Sequence, residues 1–379
     1  MRIGILGTRG IPNHYGGFEQ LAQYLSKGLA EKGHTVFVYN SHKHPYRLSE
    51  WKGVQIVHCY DPEYLIGMAG QFVYDLNCTL DARRRKLDIL LVLGYTSSSV
   101  WGWLYPSATT CINHMDGMEW QRSKYGWLTK CFLRYAEKLA IRFSSYFIAD
   151  SVVIQAYLKE QYHINSSFIA YGADIPATVQ QPNEGLPELA GKKGFSLLIA
   201  RIEKENNIEM ILEGFHQSEV EENLLVVGNT ANSFGRKLIK QYANDHRIRF
   251  AGAIYEQEHT AWLKANCRYY FHGHSVGGTN PSLLEAMAAG AFVCCHQNPF
   301  NKAVLEENGF YFSSADDVRC ILEKPVTIEA YQKFRNNNLE KIRHLYQWNH
   351  VIDQYEQFML ALHQQQKNET AILYKGYYR

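Results

Sequence analysis

A chain of 379 residues is long for one hydrophobic core, so two domains of ordinary size are expected. With 46% hydrophobic and 20% charged residues and a net charge of +2, it reads as a globular protein without the basic excess of a nucleic-acid binder. Eight cysteines without any CxxC suggest reduced, mostly buried thiols; sixteen histidines without HExxH-like spacing give no case for a metal, and no other cofactor is expected.

The chain opens on MRIGILG, which has the pattern of a buried strand and not of a signal peptide, and no apolar run reaches the roughly 20 residues of a membrane span. A cytoplasmic protein is expected. The next strands are TVFVYN (35–40), VQIVH (54–58), DILLVLG (88–94), TTCIN (109–113) and SYFIAD (145–150). Between the first two, FEQLAQYLSKGLAEKGH has helical spacing with Gly33 as its stop. Residues 171–194 carry Pro176, Pro182 and Pro187 among polar residues and form the linker candidate. A second series follows at 195–200, 223–228, 247–252, 268–273 and 291–295. Short strands alternating with helices imply α/β architecture with parallel sheets, and ligands then sit beyond the carboxyl ends of the strands. The expected division is 1–175, 176–350 and a C-terminal helix or tail, 351–379, returning toward the first domain.

Three loops and one helix carry the chemistry. After the first strand, GILGTRGIPNHYGGFE spaces glycines near, but not on, the GxGxxG pattern, and the second strand closes on Asn40 where a dinucleotide fold wants an acid. A nicotinamide enzyme is therefore disfavoured. Gly16-Gly17 either lets backbone amides approach a phosphate or simply makes a tight turn. In SVGGTNPSLLEAMAAG (275–290), Thr279 or Asn280 caps a helix over Leu283–Ala289, with Pro281 at its start and Gly290 at its stop. Glu285, one turn inside, lies too deep for a capping box. In WLTKCFLRYAEKLAIRF, Lys130, Arg134, Lys138 and Arg142 recur every four residues beside Trp127, Leu128 and Phe132. That stripe is either a solvated helix face or a peripheral contact with an anionic membrane.

YGGFE, ARIEKENNIEMILEGF and GGTNPSLLEAMAAG, in this order, resemble the retaining family-4 (group 1) glycosyltransferases of the GT-B fold; HYGGFE and NNIEMILEG are closest in wording to a bacterial rhamnosyltransferase-like subgroup. The resemblance implies two Rossmann-like doubly wound domains facing a central cleft. It assigns Gly16, Gly17, Arg201, Gly278, Thr279, Asn280 and Ser282 to the donor diphosphate or sugar and Glu285 to ribose hydroxyls, since a carboxylate offers two acceptors and no donor. Arg201, read by itself, is as well suited to a surface ion pair. His114 in CINHMDGMEW would stand beside the transferred sugar, or is a hydrogen-bonded loop histidine. Asp116 and Glu119 would face the acceptor. Asp150 is read as a helix cap.

Two positions depart from the pattern. Asn206 stands where the family has Lys, so either Lys204 turns inward or Asn206 donates a weaker bond. Gly277 stands where the family has a Glu eight residues before Glu285; it either opens space beside a sugar lacking a hydroxyl or is required by a positive φ. The implied activity is retaining transfer of a sugar, rhamnose from dTDP-rhamnose being favoured, to a lipid-linked saccharide in bacterial surface polysaccharide synthesis at the inner face of the membrane. Transfer from a UDP-hexose, a nucleotide-sugar epimerase and a polysaccharide-binding protein are the alternatives.

Overall fold

Each short apolar run becomes a strand, and each amphipathic segment between runs covers a face of the sheet it connects. The computed structural model describes the chain apart from residues 15, 116, 123, 178, 180–190, 192–193, 325 and 378–379, and its side chains as far as residue 368. Two units result: Met1–Trp120, Gly126–Tyr171 and Trp348–Arg379 form the first, Gln121–Tyr125 and Gly172–Gln347 the second.

The first unit holds β1 (Arg2–Leu6), β2 (Thr35–Ser41), β3 (Glu50–Trp51), β4 (Val54–Cys59), β5 (Ile89–Leu93), β6 (Thr110–Met115), β7 (Tyr146–Ala149) and β8 (Ser167–Phe168), in the order β3-β4-β2-β1-β5-β6-β7-β8. All described pairings are parallel except β3 with β4. The second unit holds β9 (Phe195–Ile199), β10 (Asn223–Val227), β11 (Ile248–Gly252), β12 (Tyr270–His272), β13 (Val293–His296) and β14 (Phe310–Phe312), in the order β11-β10-β9-β12-β13-β14. β1, β5, β9 and β12 are buried almost throughout, which explains why they read as continuous apolar runs instead of alternating ones. Strand order reverses between β1 and β5 and again between β9 and β12, and at such switch points the diverging connections leave an open crevice.

Strands β3, β8 and β14 were not expected from the sequence; β3 and β8 have two residues each and β14 three. The boundaries also differ from the sequence expectation. Ala173 N–H donates to the Tyr346 carbonyl at 2.7 Å, which fastens the chain to the second unit before residue 176. Arg122 pairs with Glu205 at 2.7 Å, so residues 121–125 belong to the second unit although they lie within 1–175.

The helix Trp348–Tyr377 packs within the first unit. Trp348 stacks on Tyr24 with centroids 4.4 Å apart, Glu356 pairs with Lys32 and His34 at 2.9 Å each, and Ile352 packs so close to Gly28 that a Cβ there would lie 2.6 Å away. In the linker candidate, 178, 180–190 and 192–193 lie outside the described residues. Six of the eight free cysteines are buried, with Cys131 exposed and Cys320 half-buried.

Candidate functional site

In the second unit the relevant loops follow β9 and β12, the strands flanking the reversal. Beyond β9, Arg201 and Lys204 are exposed, and neither side chain forms an ion pair or hydrogen bond among the described residues. The reading of Arg201 as a surface ion-pair partner therefore fails. Asn206 is buried at the end of the short turn Lys204–Asn206, and its amide is used locally: Nδ2 donates to the Arg201 carbonyl at 2.7 Å and Oδ1 meets His274 Nδ1 at 2.7 Å. One Asn206 amide proton is thus committed to the Arg201 carbonyl, and the side chain helps to shape the loop. Lys204 supplies the exposed charge.

Beyond β12, Gly277 has φ +131, a left-handed value that disfavours any residue with a Cβ. The helix runs Pro281–Ala288, with Asn280 as the cap. Its amino end is more completely satisfied than expected. Asn280 Oδ1 accepts from the Ser282 amide at 2.9 Å, the Leu283 amide turns back to the Asn280 carbonyl at 3.1 Å, and Pro281 has no N–H. Those helix-end amides are consequently not available to a phosphate. The Ser282 hydroxyl is bonded to Tyr270 Oη at 2.6 Å, so it too serves the fold. Thr279 is buried beside this turn and Gly278 is half-exposed.

Glu285 has a partner that the sequence did not reveal. Lys264 Nζ donates to its Oε2 at 2.6 Å; the Lys264 side chain is 4% exposed and that of Glu285 37%. Lys264 lies on the helix Gln257–Asn266, a single Lys in WLKAN with nothing to distinguish it in one dimension. The buried ammonium fixes a carboxylate whose side chain remains partly exposed, and carboxylate oxygens are acceptors that suit a diol.

In the first unit, Gly16 is the extended residue preceding the helix Gly17–Glu31, with no side-chain cap. Glu19, buried in the first turn, accepts the Arg9 amide at 2.9 Å. Asn40, the residue that argued against a dinucleotide fold, clamps the glycine loop: its side chain accepts from Ile11 N–H at 3.0 Å and donates to the Ile11 carbonyl at 2.7 Å. Two adjoining cavities open beyond β1, β2 and β4. The larger, about 250 Å³, is lined by Arg9, His14, Lys43, His44, Asp61 and Tyr64 among others. The smaller, about 60 Å³, shares Arg9, Asp61 and Glu63 with it and reaches Thr8, Asp75 and Ser97. Arg9 grips Glu63 through two nitrogens, at 2.8 and 3.2 Å, and Lys43 Nζ lies 4.5 Å from the Tyr64 ring centroid. Burial, partly offset by the Ser97 hydroxyl that donates to it, pushes the Asp75 carboxyl up to about 7. The Thr8 hydroxyl is buried with no partner among the described residues. No sequence motif announced this cluster, because its members come from the segments that follow β1, β2, β4 and β5 and from the helix Gly70–Ala82.

His114 lies within β6, wholly buried, with its ring against Phe18 and Tyr171 and neither nitrogen bonded among the described residues. It is not the hydrogen-bonded loop histidine considered above. Burial pulls its pKa down to about 3, so the ring is neutral at ordinary pH. Asp116 lies outside the described residues; Glu119 is half-buried in the turn Glu119–Gln121. The cap of the helix Val152–Tyr162 is Ser151, whose hydroxyl accepts the Val153 amide, and not Asp150.

The basic stripe falls on the helix Trp127–Phe143. Lys138 and Arg142 are exposed, Lys130 is half-buried, and Arg134 lies over the Trp120 ring at 4.1 Å. Trp127 and Leu128 are each 75% exposed, whereas Phe132 packs on Phe72. No helix among the described residues is long and apolar enough to cross a membrane.

Residues 183–340 match the family described as glycosyl transferases group 1, and residues 1–174 match a domain of unknown function, DUF1972. No match at a significant level is found among curated proteins. Among solved structures the chain is similar to sucrose-phosphate synthase from Thermosynechococcus elongatus (17% identity, TM-score 0.77, 95% of this chain and 98% of that one). It is also similar to Anabaena HepE in complex with UDP and glucose (16%, 0.72, 95% and 100%). A third is α,α-trehalose 6-phosphate synthase from Burkholderia multivorans (10%, 0.75, 97% and 98%). At these identities the structural likeness speaks for the fold, and the group 1 match speaks for the activity. The chain is thus a glycosyltransferase of GT-B fold, with a group 1 glycosyltransferase domain at residues 183–340.

Proposed function

We propose that the chain transfers a sugar from a nucleoside diphosphate donor to a saccharide acceptor with retention at the anomeric carbon. The carrying observation is the Glu285 carboxylate set on the buried Lys264 ammonium, in the same unit as the exposed, unpaired cations Arg201 and Lys204. The carboxylate suits ribose hydroxyls and the cations suit a diphosphate. HepE, a structural relative, is described with UDP and glucose.

In the proposed reaction the acceptor hydroxyl attacks the anomeric carbon from the face that the diphosphate leaves. The bond to the diphosphate oxygen breaks, the new glycosidic bond forms, and the hydroxyl proton passes to a departing phosphate oxygen. Arg201 and Lys204 stabilise the charge developing there. A cation about 4 Å from a phosphate is worth roughly 4 kcal/mol at an effective dielectric near 20. We assign the acceptor saccharide to the 250 Å³ cavity of the first unit, where carboxylates, Lys43 and the Tyr64 ring offer hydroxyl partners and a stacking face.

The favoured donor is dTDP-rhamnose and the favoured acceptor a lipid-linked saccharide of bacterial surface polysaccharide, on the subgroup wording of HYGGFE and NNIEMILEG. The positive φ of Gly277 supports the backbone explanation of that glycine, so the deoxy-sugar preference rests less on it. Turnover of dTDP-rhamnose, UDP-glucose, UDP-galactose and GDP-mannose with a lipid-linked sugar acceptor tests the donor. Tenfold faster transfer of a fully hydroxylated hexose overturns the rhamnose assignment. An altered donor sugar formed without acceptor turns the reading to an epimerase, and no affinity for UDP or dTDP turns it to a polysaccharide-binding protein.

A further inference from the structure

We propose that the 60 Å³ cavity of the first unit is a subsite for one neutral arm of the acceptor saccharide, a hydroxymethyl group, whose hydroxyl is read by Thr8 and Asp75. This rests on the placing of the acceptor in the adjoining 250 Å³ cavity and names the group by which it is selected.

The small cavity lies where the strand order reverses. Thr8 and Arg9 follow β1, Ser97 follows β5, and Asp75 stands on the helix Gly70–Ala82 between β4 and β5. The two cavities share Arg9, Asp61 and Glu63, so an arm of a saccharide in the larger one is next to the smaller. At about 60 Å³ the space exceeds that of a single water, and a hydroxymethyl group matches it.

Most polar groups around it are committed to the fold. Arg9 grips both Glu63 oxygens, at 2.8 and 3.2 Å, and Glu19 Oε1 accepts the Arg9 amide at 2.9 Å. Asp61 Oδ1 accepts the Glu63 amide at 2.9 Å, and the Tyr74 hydroxyl donates to the Thr8 and Tyr39 carbonyls. Two groups that line the cavity stay open. Thr8 is 4% exposed, and its Oγ1 has no partner among the described residues. Asp75, equally buried, accepts the Ser97 hydroxyl on Oδ2 at 2.5 Å, while its Oδ1 forms no hydrogen bond among the described residues. A carboxyl oxygen that accepts and a hydroxyl that can donate together complement a ligand hydroxyl, which has one proton to give and lone pairs to receive. A buried hydroxyl without a partner carries a desolvation cost, and such a ligand removes it.

Charge decides which arms are barred. Glu19, Asp61, Glu63 and Asp75 line the cavity against one guanidinium, that of Arg9, which is paired with Glu63. A carboxylate or phosphate arm meets like charge there. A methyl arm leaves Thr8 and Asp75 unsatisfied. Burial pushes the Asp75 carboxyl up to about 7, so it is partly uncharged at neutral pH; an ammonium would need it ionised against that burial, and a hydroxyl would not.

The test uses the full chain at pH 7 and methyl glucosides that differ only at carbon 6, as hydroxymethyl, methyl, carboxylate and aminomethyl forms, with the galactoside and mannoside series alongside. Ligand-observed NMR titration gives the affinities. In the series that binds, the hydroxymethyl form should be about tenfold tighter than the methyl form, the worth of one hydrogen bond, and tighter than both charged forms. Thr8→Val keeps the shape and loses the hydroxyl, so the preference for hydroxymethyl over methyl should fall below about twofold; Thr8→Ser should retain it. An undiminished preference in Thr8→Val, a methyl form as tight as the hydroxymethyl form, or a charged form tighter than either overturns the subsite and leaves the acceptor placement standing. If the wild-type chain binds no glycoside of any series, the acceptor placement falls and the subsite with it. Should Thr8→Val not fold, the order of the carbon-6 forms on the wild-type chain decides by the same criteria.

Discussion

Lys264 Nζ lies 2.6 Å from Glu285 Oε2, with the lysine side chain only 4% exposed and the glutamate 37%. The pair ties the proposed ribose contact to the stability of the second unit. Glu285→Gln keeps the shape but leaves a buried ammonium beside a neutral amide. Breaking a fully buried pair costs about 3–5 kcal/mol; with Glu285 partly open to water, about 2 kcal/mol is expected here. Thermal melting without ligand should fall by about 4–8 °C, and UDP affinity about ten- to hundredfold, as for loss of a charge-assisted bond. Titration and melting of the same sample check both, and unchanged affinity would remove Glu285 from the nucleotide site.

Asp75 should make the protein less stable as pH rises. Its folded pKa, pushed up to about 7 by burial, exceeds the unfolded value near 3.9, so the folded state holds the extra proton between them. Stability from this group is full below about pH 4, is lost progressively toward pH 7, and stays low above it; the total is on the order of 4 kcal/mol. Asp75→Asn should flatten this slope. Denaturation midpoints at pH 5 and pH 8 for both proteins give the difference, and parallel slopes would show that Asp75 ionises freely in the fold.

Glu137 is a buried carboxylate accepting three tyrosine hydroxyls, from Tyr95, Tyr157 and Tyr162. It joins the helix Trp127–Phe143 to the helix Val152–Tyr162 and to the loop after β5. Glu137→Ala strands the Tyr157 and Tyr162 hydroxyls, while Tyr95 keeps the Gly117 carbonyl at 3.1 Å, and should cost roughly 2 kcal/mol or more. Glu137→Gln, with one acceptor oxygen left, should cost less. Urea denaturation ranks the two; equal midpoints for wild type and Glu137→Ala would mean that the hydroxyls are re-satisfied by water.

Peripheral membrane contact is testable on the helix Trp127–Phe143. Lys138, Arg142 and Arg134 are exposed and Lys130 is half-buried; Lys138 and Arg142 are the charges to reverse, because Arg134 lies close over the Trp120 ring at 4.1 Å. At about 1 kcal/mol per basic residue near anionic lipid, four give only millimolar binding. Co-sedimentation with anionic vesicles should be salt-sensitive, and should drop both for Lys138→Glu with Arg142→Glu and for Trp127→Ala with Leu128→Ala. Equal pelleting with neutral vesicles would argue for a solvated face.

The sequence by itself determined the architecture. Continuous apolar runs of four to seven residues separated by amphipathic helices admit little besides two parallel sheets, and β1, β5, β9 and β12 answer to that pattern because each is buried on both faces. The helix at 281–288 was likewise legible, since Asn280, Pro281 and Gly290 act through local geometry. What the sequence did not determine is which polar groups are spent on the fold and which stay open. Asn206 read as a weak stand-in for a lysine, but its oxygen faces His274 and one of its amide protons is taken by the Arg201 carbonyl. The amide of Ser282 is consumed by Asn280, and Glu285 rests on Lys264, twenty-one positions away. Asp75 drew no attention as one acid in a helix, and acquires its raised pKa only from burial beside Ser97. Periodicity reports burial along one segment, whereas hydrogen-bond satisfaction and desolvation depend on atoms that distant segments bring together, and those only the tertiary structure decides.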